Sequence, residues 1–268
     1  MAMQGGKFMK GWICALTPIL VCLASSQATA QEKWQPLFDG HTLNGWTPKI
    51  AGYPAGDNFG QTFSVRDGAI RVSYAGYDQF NYRFGHLFYK LPFRAYRLRL
   101  KYRIIEGGEV RGAPKWSRSN SGVMFDSQSP ESMALGQWFP ASIEFQLLGR
   151  EGRNPPEPTG SVCTPGTNIT INGERLKSHC ATSTGPVVAN NTWTDLELEV
   201  RADGQVIHRI NGVEVLRYSG VELNLRDLTA EPLIGAQKGV TAVSSGYIAL
   251  QSEGQPVEFK DIAILETR

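Results

Sequence analysis

FPASIEFQLLG, residues 139–149, alternates apolar and polar side chains along its second half. Successive side chains of a β-strand point to opposite faces of the sheet, so the two kinds of residue separate onto two faces. The apolar set is Ile143, Phe145 and Leu147. The polar set is Ser142, Glu144 and Gln146. The stretch is therefore predicted to be a strand with one face in the core and the other towards water or a binding site.

The same alternation recurs along the chain and predicts an all-β protein. It is present in GAIRVSY, HLFYKL, YRLRLKYRI, SGVMFDS, DLELEVR, QVIHRI, VEVLRY, GYIALQS and VEFKDIAIL. Turn sequences such as Asp203-Gly204 and Asn211-Gly212 separate many of these segments, and the latter predicts a hairpin. Helical character is limited to a turn or two around Glu131–Gln137. The pattern predicts a jelly-roll sandwich of two antiparallel sheets, with a concave polar face on one of them.

The N-terminal segment has the organisation of an export signal. Lys7 and Lys10 form a basic start, and Gly11–Leu23 is a mostly apolar run that is too short to span a bilayer. Ala28-Thr29-Ala30 is a small-x-small cleavage site. A retained anchor is disfavoured because no second apolar segment follows. The sequence predicts a signal peptide over residues 1–30 and an exported chain, periplasmic or extracellular, without a stable membrane span.

The charge balance gives no support to nucleic-acid binding. The chain has 27 Lys and Arg against 25 Asp and Glu, and two of the lysines lie within the predicted signal. The remainder is formally neutral and contains no basic tract or stripe. No nucleic-acid partner is predicted.

Two cysteines, Cys163 and Cys180, remain after the predicted signal is removed. An even pair in an exported protein predicts a disulfide. His179 is adjacent to Cys180, but a closed metal site needs about four ligands and the neighbouring sequence supplies no others. The pair lies in the least regular region, Gly149–Ala189, which has the Pro-rich composition of functional or disordered loops. A disulfide favours an ordered loop.

Five segments together resemble one known family. They are LFDGHTLNGW (37–46), NSGVMF (120–125), SIEFQLLG (142–149), HRINGVEVLRY (208–218) and IALQSEGQPVEFKDIAIL (248–265). In this order they resemble the bacterial 3-keto-disaccharide hydrolase domain, which is built on a concanavalin A-like sandwich. The resemblance covers essentially all of residues 31–268 and implies a single domain. CTPGT at residues 163–167 is similar to one branch of that family.

The resemblance implies cleavage of glycosides whose sugar carries a ketone at carbon 3. Such a ketone acidifies the proton on carbon 2, so a general base can remove it and the group on carbon 1 leaves by β-elimination. Water then adds to the unsaturated sugar, and the net reaction is hydrolysis. The site needs a base, a group that stabilises the enolate oxygen and an acid for the leaving group.

Four residues are candidates for catalytic roles. Glu144 is the predicted base, because it lies on the polar face of its strand and matches the family's glutamate; a solvated surface glutamate is the alternative. Glu253 is the predicted acid, although many relatives have a histidine near this position, and a turn residue is the alternative. His86 is considered as a proton shuttle and Lys90 as an enolate stabiliser. A structural or surface role is the alternative for His86.

Six further residues are candidates for substrate binding: Asn120, Asp126, Trp138, Gln146, Arg150 and Gln251. Asn120, Gly122 and Asp126 share one parity of a predicted strand, and a glycine within a strand can mark a close approach. Asp126 as a strand-ending residue, Arg150 as an exposed loop residue and Trp138 as a core aromatic are the alternatives.

The same reasoning extends to Arg153 as a clamp and to Trp116 and Tyr53 as stacking platforms. No cofactor is predicted, and a requirement for a divalent metal stays open. The predicted ligand is an oxidised glycoside or another carbohydrate. A non-catalytic carbohydrate-binding module is the main alternative, and a structural module of a larger exported assembly is another, because the fold does not decide between them.

Overall fold

Residues 33–267 form two antiparallel β-sheets in the computed structural model, with a shared apolar core between them. The structure describes these residues and, in the preceding segment, residues 1–3, 5, 6 and 9. The basic start, the apolar run and the cleavage site of the predicted signal peptide lie outside the described residues. No helix within the described residues has the length and apolar character of a membrane span.

The strands account for most of the regular structure. In chain order they are β1 (Gln35–Pro36), β2 (Trp46–Ile50), β3 (Phe63–Arg66), β4 (Ala69–Val72), β5 (Gly85–Tyr89), β6 (Tyr96–Ile104), β7 (Asn120–Ser127), β8 (Ile143–Leu148), β9 (Val162–Cys163), β10 (Thr167–Ile171), β11 (Glu174–Arg175), β12 (Cys180–Ala181), β13 (Thr194–Val200), β14 (Val206–Ile210), β15 (Val213–Leu223), β16 (Tyr247–Ser252) and β17 (Val257–Glu266). The helical elements of the described chain are α1 (Glu231–Ala236) and three 3-10 turns (Phe59–Gln61, Lys115–Ser117 and Pro130–Ser132).

The strand order defines a ten-stranded and a seven-stranded sheet. The larger sheet runs β11-β10-β15-β14-β13-β6-β17-β4-β3, with β1 also paired to β17. The smaller sheet runs β12-β9-β8-β7-β16-β5-β2. The two sheets confirm the predicted antiparallel sandwich.

β6 shows how a strand of the larger sheet obtains two different faces. Its core-facing residues, each at most 2% exposed, are Tyr96, Leu98, Leu100, Tyr102 and Ile104. The side chains between them are basic and face outward, where Arg97, Lys101 and Arg103 pair with carboxylates of β13 and β17. One such contact, between Arg103 Nη2 and Glu258 Oε2, is 2.6 Å long. The outer face of the ten-stranded sheet is therefore a ladder of ion pairs.

The seven-stranded sheet is covered on both faces near its centre. All eight residues of β7 are buried, which requires a cover on the side opposite the core. Residues 128–140 provide part of this cover. Gln128 holds the segment in place, since its Oε1 accepts hydrogen bonds of 2.8 Å from Ala141 N and 2.9 Å from Gln137 Nε2. The helical turns expected here are reduced to one 3-10 turn, because the backbone is already extended at Met133.

Two local predictions concern the loops. Asn211 and Gly212 join β14 to β15 with φ of 51° and 78°, and the predicted hairpin is confirmed. The irregular region Gly149–Ala189 contains four short strands, and Cys163 of β9 lies directly opposite Cys180 of β12. The predicted disulfide between them is confirmed. It ties the long loop to the edge of the seven-stranded sheet.

Candidate active site

β8 brings Glu144 to the outer face of the seven-stranded sheet. Its neighbours Ile143 and Phe145 are fully buried in the core, so the alternation of the strand directs Glu144 the other way. Glu144 is nevertheless only 6% exposed, because loops cover this face. Its placement differs from that of a solvated surface glutamate.

Gly122 of β7 makes room beside Glu144. A Cβ atom at position 122 would lie 2.7 Å from Oε1 of Glu144 and 2.9 Å from Oε1 of Gln251. Contacts this short between non-bonded atoms are repulsive, so any side chain here would displace the polar groups. The strand glycine singled out in the sequence thus marks the approach of two neighbouring side chains.

Four polar residues of three adjacent strands or strand ends meet on this face and are called the polar cluster. They are Asn120, Glu144, Gln251 and Glu253. Each is at most 6% exposed. Gln251 donates a hydrogen bond of 3.0 Å from Nε2 to Oε1 of Glu253. The structure thus brings together two predicted catalytic residues and two predicted binding residues.

Each residue of the polar cluster has one buried oxygen that lacks a hydrogen-bond donor among the described residues. The atoms are Asn120 Oδ1, Glu144 Oε1, Gln251 Oε1 and Glu253 Oε2. Buried polar atoms in folded proteins are nearly always paired, and leaving one unpaired costs about 1–3 kcal/mol. Four such oxygens in one place need hydrogen-bond partners from outside the described residues, and a bound ligand or water provides them.

Burial raises the pKa of both carboxyl groups of the polar cluster, and their mutual repulsion adds to the effect on Glu253. Burial raises the pKa of Glu144 above its ordinary value, against the smaller opposing effect of the hydrogen bond from Gln251. Burial raises the pKa of Glu253 well above the ordinary value, and the charge of Glu144 raises it further. Arg153 and Asn120 act in the opposite direction on Glu253. Glu144 is therefore the first of the two to ionise, while Glu253 retains its proton.

A cavity of about 280 Å³ opens beside the polar cluster. Its polar lining consists of Asn120, Glu144, Gln146 and Glu253, and its other lining residues are Trp116, Phe139, Cys163, Pro165, His179 and Cys180. Half-buried Gln146 lies two residues beyond Glu144, on the same face of β8. A glutamate pair, two amides and a largely apolar wall thus surround one space.

A larger concavity of about 650 Å³ lies on the ten-stranded sheet, away from the polar cluster. Charged side chains line it, and several of these are paired, as are Lys101 and Asp195. Its described lining residues contribute no buried unpartnered oxygen. The smaller cavity therefore has the stronger chemical claim to be the active site.

His86 lies on the same face but is enclosed. It is the cross-strand neighbour of Gln251 on one side and of Lys49 on the other. Burial, with a smaller effect of the Lys49 charge, lowers the pKa of His86 to about 3. Both ring nitrogens are buried without a partner among the described residues. The ring of Phe139 packs against the imidazole, with 6.0 Å between the ring centroids. His86 thus lies beside Gln251 of the polar cluster and does not line the cavity.

The structure places Lys90 away from the cavity and a different lysine, Lys49, beside His86. Lys90 follows the end of β5 and is exposed beside Gly45, so its position gives no support to a role at an enolate. Lys49 is 2% exposed, and its Nζ donates to the carbonyl oxygens of Ile50 and Leu135 at 3.2 and 3.1 Å. Nothing in the local sequence singles out Lys49, since a lysine in an alternating strand is normally exposed.

Asp126 is separated from the polar cluster. Its φ of 47° and a register shift between β7 and β16 interrupt the alternation that relates it to Asn120. Asp126 lines a different cavity of about 340 Å³, and burial raises its pKa to about 7. The expectation that it shares one face with Asn120 is wrong for this reason.

The remaining predicted binding residues lie at the periphery. Arg150 is exposed and approaches Glu151 at 3.6 Å, outside the cavity. Trp138 is 46% exposed and stacks on Tyr82, also outside the cavity lining. Arg153 lies closer to the cavity. Its Nη1 donates a hydrogen bond of 3.1 Å to the carbonyl oxygen of Trp116, which lines the cavity.

One group of residues whose side chains are common metal ligands borders the cavity. The ligand atoms of Cys163, His179 and Cys180 lie within 4.8 Å of one another. Both sulfur atoms are engaged in the disulfide, so they are not thiolates and the cluster offers one imidazole. The trio therefore functions as cavity wall rather than as a set of metal ligands.

The sequence matches the family model of the 3-keto-alpha-glucoside-1,2-lyase-like domain over residues 33–265. The chain belongs to this family. The match connects it to a carbohydrate-related function and agrees with the resemblance found in the five sequence segments. No curated protein matches the chain.

Solved structures give the fold independently. Two structures of Parabacteroides distasonis ATCC 8503 proteins, provisionally named glycosyl hydrolases, are each 17% identical to this chain. They have TM-scores of 0.50 and 0.52, and the matches cover 88% of this chain and 94% and 100% of theirs. The exoplasmic/lumenal domain of VIP36, solved with Ca²⁺ and Man3GlcNAc, is 8% identical with a TM-score of 0.50 and coverage of 89% and 90%. At these identities the likeness concerns the fold alone.

Proposed function

We propose that this protein is an exported enzyme that cleaves 3-keto-glycosides by removing the proton on carbon 2 and eliminating the group on carbon 1. The polar cluster is the observation that supports this most directly. It combines two buried carboxyl groups with two unpaired amide oxygens, of Asn120 and Gln251, that are available to sugar hydroxyl groups. Membership of the lyase-like family supports the choice of substrate class.

Glu144 is assigned as the base and Glu253 as the acid. Glu144 ionises first and takes the proton from carbon 2, and the electron pair of that bond forms the enolate. The pair then forms the double bond between carbons 1 and 2 as the bond from carbon 1 to the leaving oxygen breaks. The leaving oxygen takes the proton of Glu253. Addition of water to the unsaturated sugar completes a net hydrolysis.

Side-chain amides are assigned to the enolate oxygen. Asn120 and Gln146 line the cavity and carry N–H donors, whereas Lys90 is exposed elsewhere. Neutral donors that the fold already holds in position stabilise developing charge effectively, because they need little reorganisation during the reaction. The unpaired amide oxygens of Asn120 and Gln251 are free to accept from hydroxyl groups of the same sugar.

An oxidising compartment, periplasmic or extracellular, is part of the proposal. The N-terminal segment has the pattern of an export signal, and the disulfide suits a compartment where thiols are oxidised. Detection of the mature N-terminus by mass spectrometry of secreted protein tests this part. A mature chain beginning near Gln31 is expected.

The activity is tested with a chromogenic 3-keto-glucoside, using the unoxidised glucoside as substrate control. Glu144→Gln is compared with Glu214→Gln, which alters a glutamate on the other sheet. Release from the keto-sugar alone, lost in Glu144→Gln and retained in Glu214→Gln, is expected. Release that persists in Glu144→Gln would remove Glu144 from the role of base.

A non-catalytic carbohydrate-binding module is the second candidate. The fold shared with the oligosaccharide-bound VIP36 domain supports it, as do the exposed tryptophans beside the cavity. Saturable glycan binding without release from any keto-glycoside would favour this candidate over the enzyme.

A further inference from the structure

Aromatic side chains form an exposed shelf beside the cavity. Its members are Tyr82, Phe84, Trp116 and Trp138, and they are called the aromatic shelf. Phe84 is fully buried, and Trp116 stacks on it at a centroid distance of 5.6 Å and an angle of 9°. Trp138 stacks on Tyr82 at 4.9 Å and 4°. The three outer rings remain 54%, 50% and 46% exposed for Tyr82, Trp116 and Trp138.

Folding alone gives little reason for this arrangement. Single exposed apolar side chains are common, but adjacent exposed aromatics mark surfaces that bind something. Each outer ring is held by a stacking partner, so its orientation is fixed before any ligand arrives. Trp116 contacts Phe84 through one part of its ring, and the rest of the ring is exposed and available for contact.

The shelf is continuous with the cavity of the polar cluster. Trp116 belongs to both, and the cavity residue Phe139 packs on Phe84 at 4.9 Å. The polar cluster is at most 6% exposed whereas Trp116 is half exposed. The polar groups therefore lie deep in the site and the aromatic rings at its opening.

The size of the cavity determines which part of a glycoside reaches the shelf. A volume of about 280 Å³ lies just below the usual range for ligand pockets, which begins near 300 Å³. It suits one sugar ring, whose hydroxyl groups meet the polar cluster. The group attached to carbon 1 then extends through the opening and over the aromatic shelf.

We propose that the aromatic shelf binds the leaving group, and that the substrates are 3-keto-glycosides with an aromatic or planar apolar aglycone. The inference rests on the proposed function, because it specifies the substrate class of the same site. Stacking on Trp116 favours the binding of a flat apolar group. A second sugar in the same position would present its hydroxyl groups to the faces of aromatic rings, which offer little hydrogen bonding.

The test compares benzyl and methyl 3-keto-glucosides, whose leaving alcohols are of similar acidity. The variants are Trp116→Ala, Trp116→Phe and a control, Trp193→Ala. Trp193 is a half-buried tryptophan that packs on Arg103 and Lys260 of the ten-stranded sheet. Binding of the unoxidised benzyl and methyl glucosides is measured in parallel by calorimetry, because it does not depend on turnover.

Trp116→Ala is expected to lower kcat/KM for the benzyl substrate about tenfold while changing the methyl substrate little. Trp116→Phe restores part of the loss, and Trp193→Ala affects neither substrate. Equal effects of Trp116→Ala on both substrates, or no effect, overturn the inference. Thermal unfolding of each variant separates lost stacking from lost folding.

Failure of the proposed function is recognised separately. If the wild-type protein turns over neither keto-glucoside, the enzymatic proposal fails. The binding data then decide whether the aromatic shelf is an aglycone site. A preference for benzyl over methyl glucoside that Trp116→Ala abolishes supports the shelf as an aglycone site. Equal binding of the two glucosides overturns it.

Discussion

Gly122 and Glu144 lie on adjacent strands with no space between them for a methyl group. The site of an added Cβ is 2.7 Å from Oε1 and 2.8 Å from Cγ of the glutamate. The obstruction comes from side-chain atoms rather than from backbone, and φ of Gly122 does not require glycine. The fold therefore tolerates a small residue here, whereas the position of the carboxyl group does not.

Gly122→Ala is expected to lower kcat on a 3-keto-glucoside by roughly 10²-fold, because a base displaced by about 1 Å is poorly placed for proton removal. Thermal unfolding is expected to change much less than activity. Gly136→Ala is the matched control, since an added Cβ there meets no atom within 4 Å. Equal activity of the two variants would contradict the placement of Glu144.

The pH dependence of kcat/KM reports the ionisation of the base. Burial raises the pKa of Glu144, so the ionised form that removes the proton accumulates only above the ordinary glutamate value of 4.5. Activity is expected to rise with pH through the range above that value. The profile is measured with a blank for spontaneous elimination at each pH. A rise centred near 4.5 would show that the base is a solvent-exposed carboxylate.

Glu253→Gln tests the acid through the choice of leaving group. A poor leaving group such as methanol needs a proton as it departs, so its release is expected to fall by about 10²–10⁴-fold. A nitrophenolate leaves without taking up a proton, so its release is expected to fall far less. Similar losses for both substrates would assign Glu253 a binding role instead.

Asp126→Asn tests the separation of Asp126 from the active site. Burial raises the folded-state pKa from 3.8 to about 7, so ionisation destabilises the fold as the pH rises through this interval. The variant is expected to gain stability relative to wild type over the same interval, by up to about 4 kcal/mol. Urea unfolding at several pH values measures the gain. Activity is expected to persist, and a strong loss would return Asp126 to the site.

Cys163→Ser/Cys180→Ser removes both the cross-link and part of the cavity wall. The bridge closes a loop with a sequence separation of 17, and its loss is expected to cost about 3 kcal/mol in unfolding free energy. Urea denaturation measures this cost. Activity is expected to fall at temperatures where the variant is still folded, because the wall beside Gln146 loosens. Unchanged activity would make the disulfide purely structural.

The short-range sequence pattern was sufficient to predict the sandwich and one half of the candidate site. Period-two alternation directed Glu144 out of the core, and the strand glycine Gly122 marked the close approach. The hairpin at Asn211-Gly212 followed from the conformations that these two residues tolerate. Glu253 entered through resemblance, because nothing in its local sequence indicates burial beside Glu144.

The remaining features depend on contacts between distant segments. Lys90 was grouped with His86 by parity, but β5 ends one residue before it. The positive φ at Asp126 reflects the register of β7 against β16, which no local pattern encodes. Lys49 is buried because a carbonyl from the distant residue Leu135 meets its amino group.

The polar cluster is carried by strands and strand ends, whereas the residues at the opening of the cavity come from connecting segments. Trp116 lies in a 3-10 turn, and Trp138, Phe139 and Pro165 lie between strands. Under the proposed function, the reacting groups and the selection of the aglycone are thus encoded in separate parts of the chain. Lengthening or replacing the connecting segments would alter which aglycones are accepted while the reaction stays the same. This architecture suits the diversification of one reaction across many glycosides.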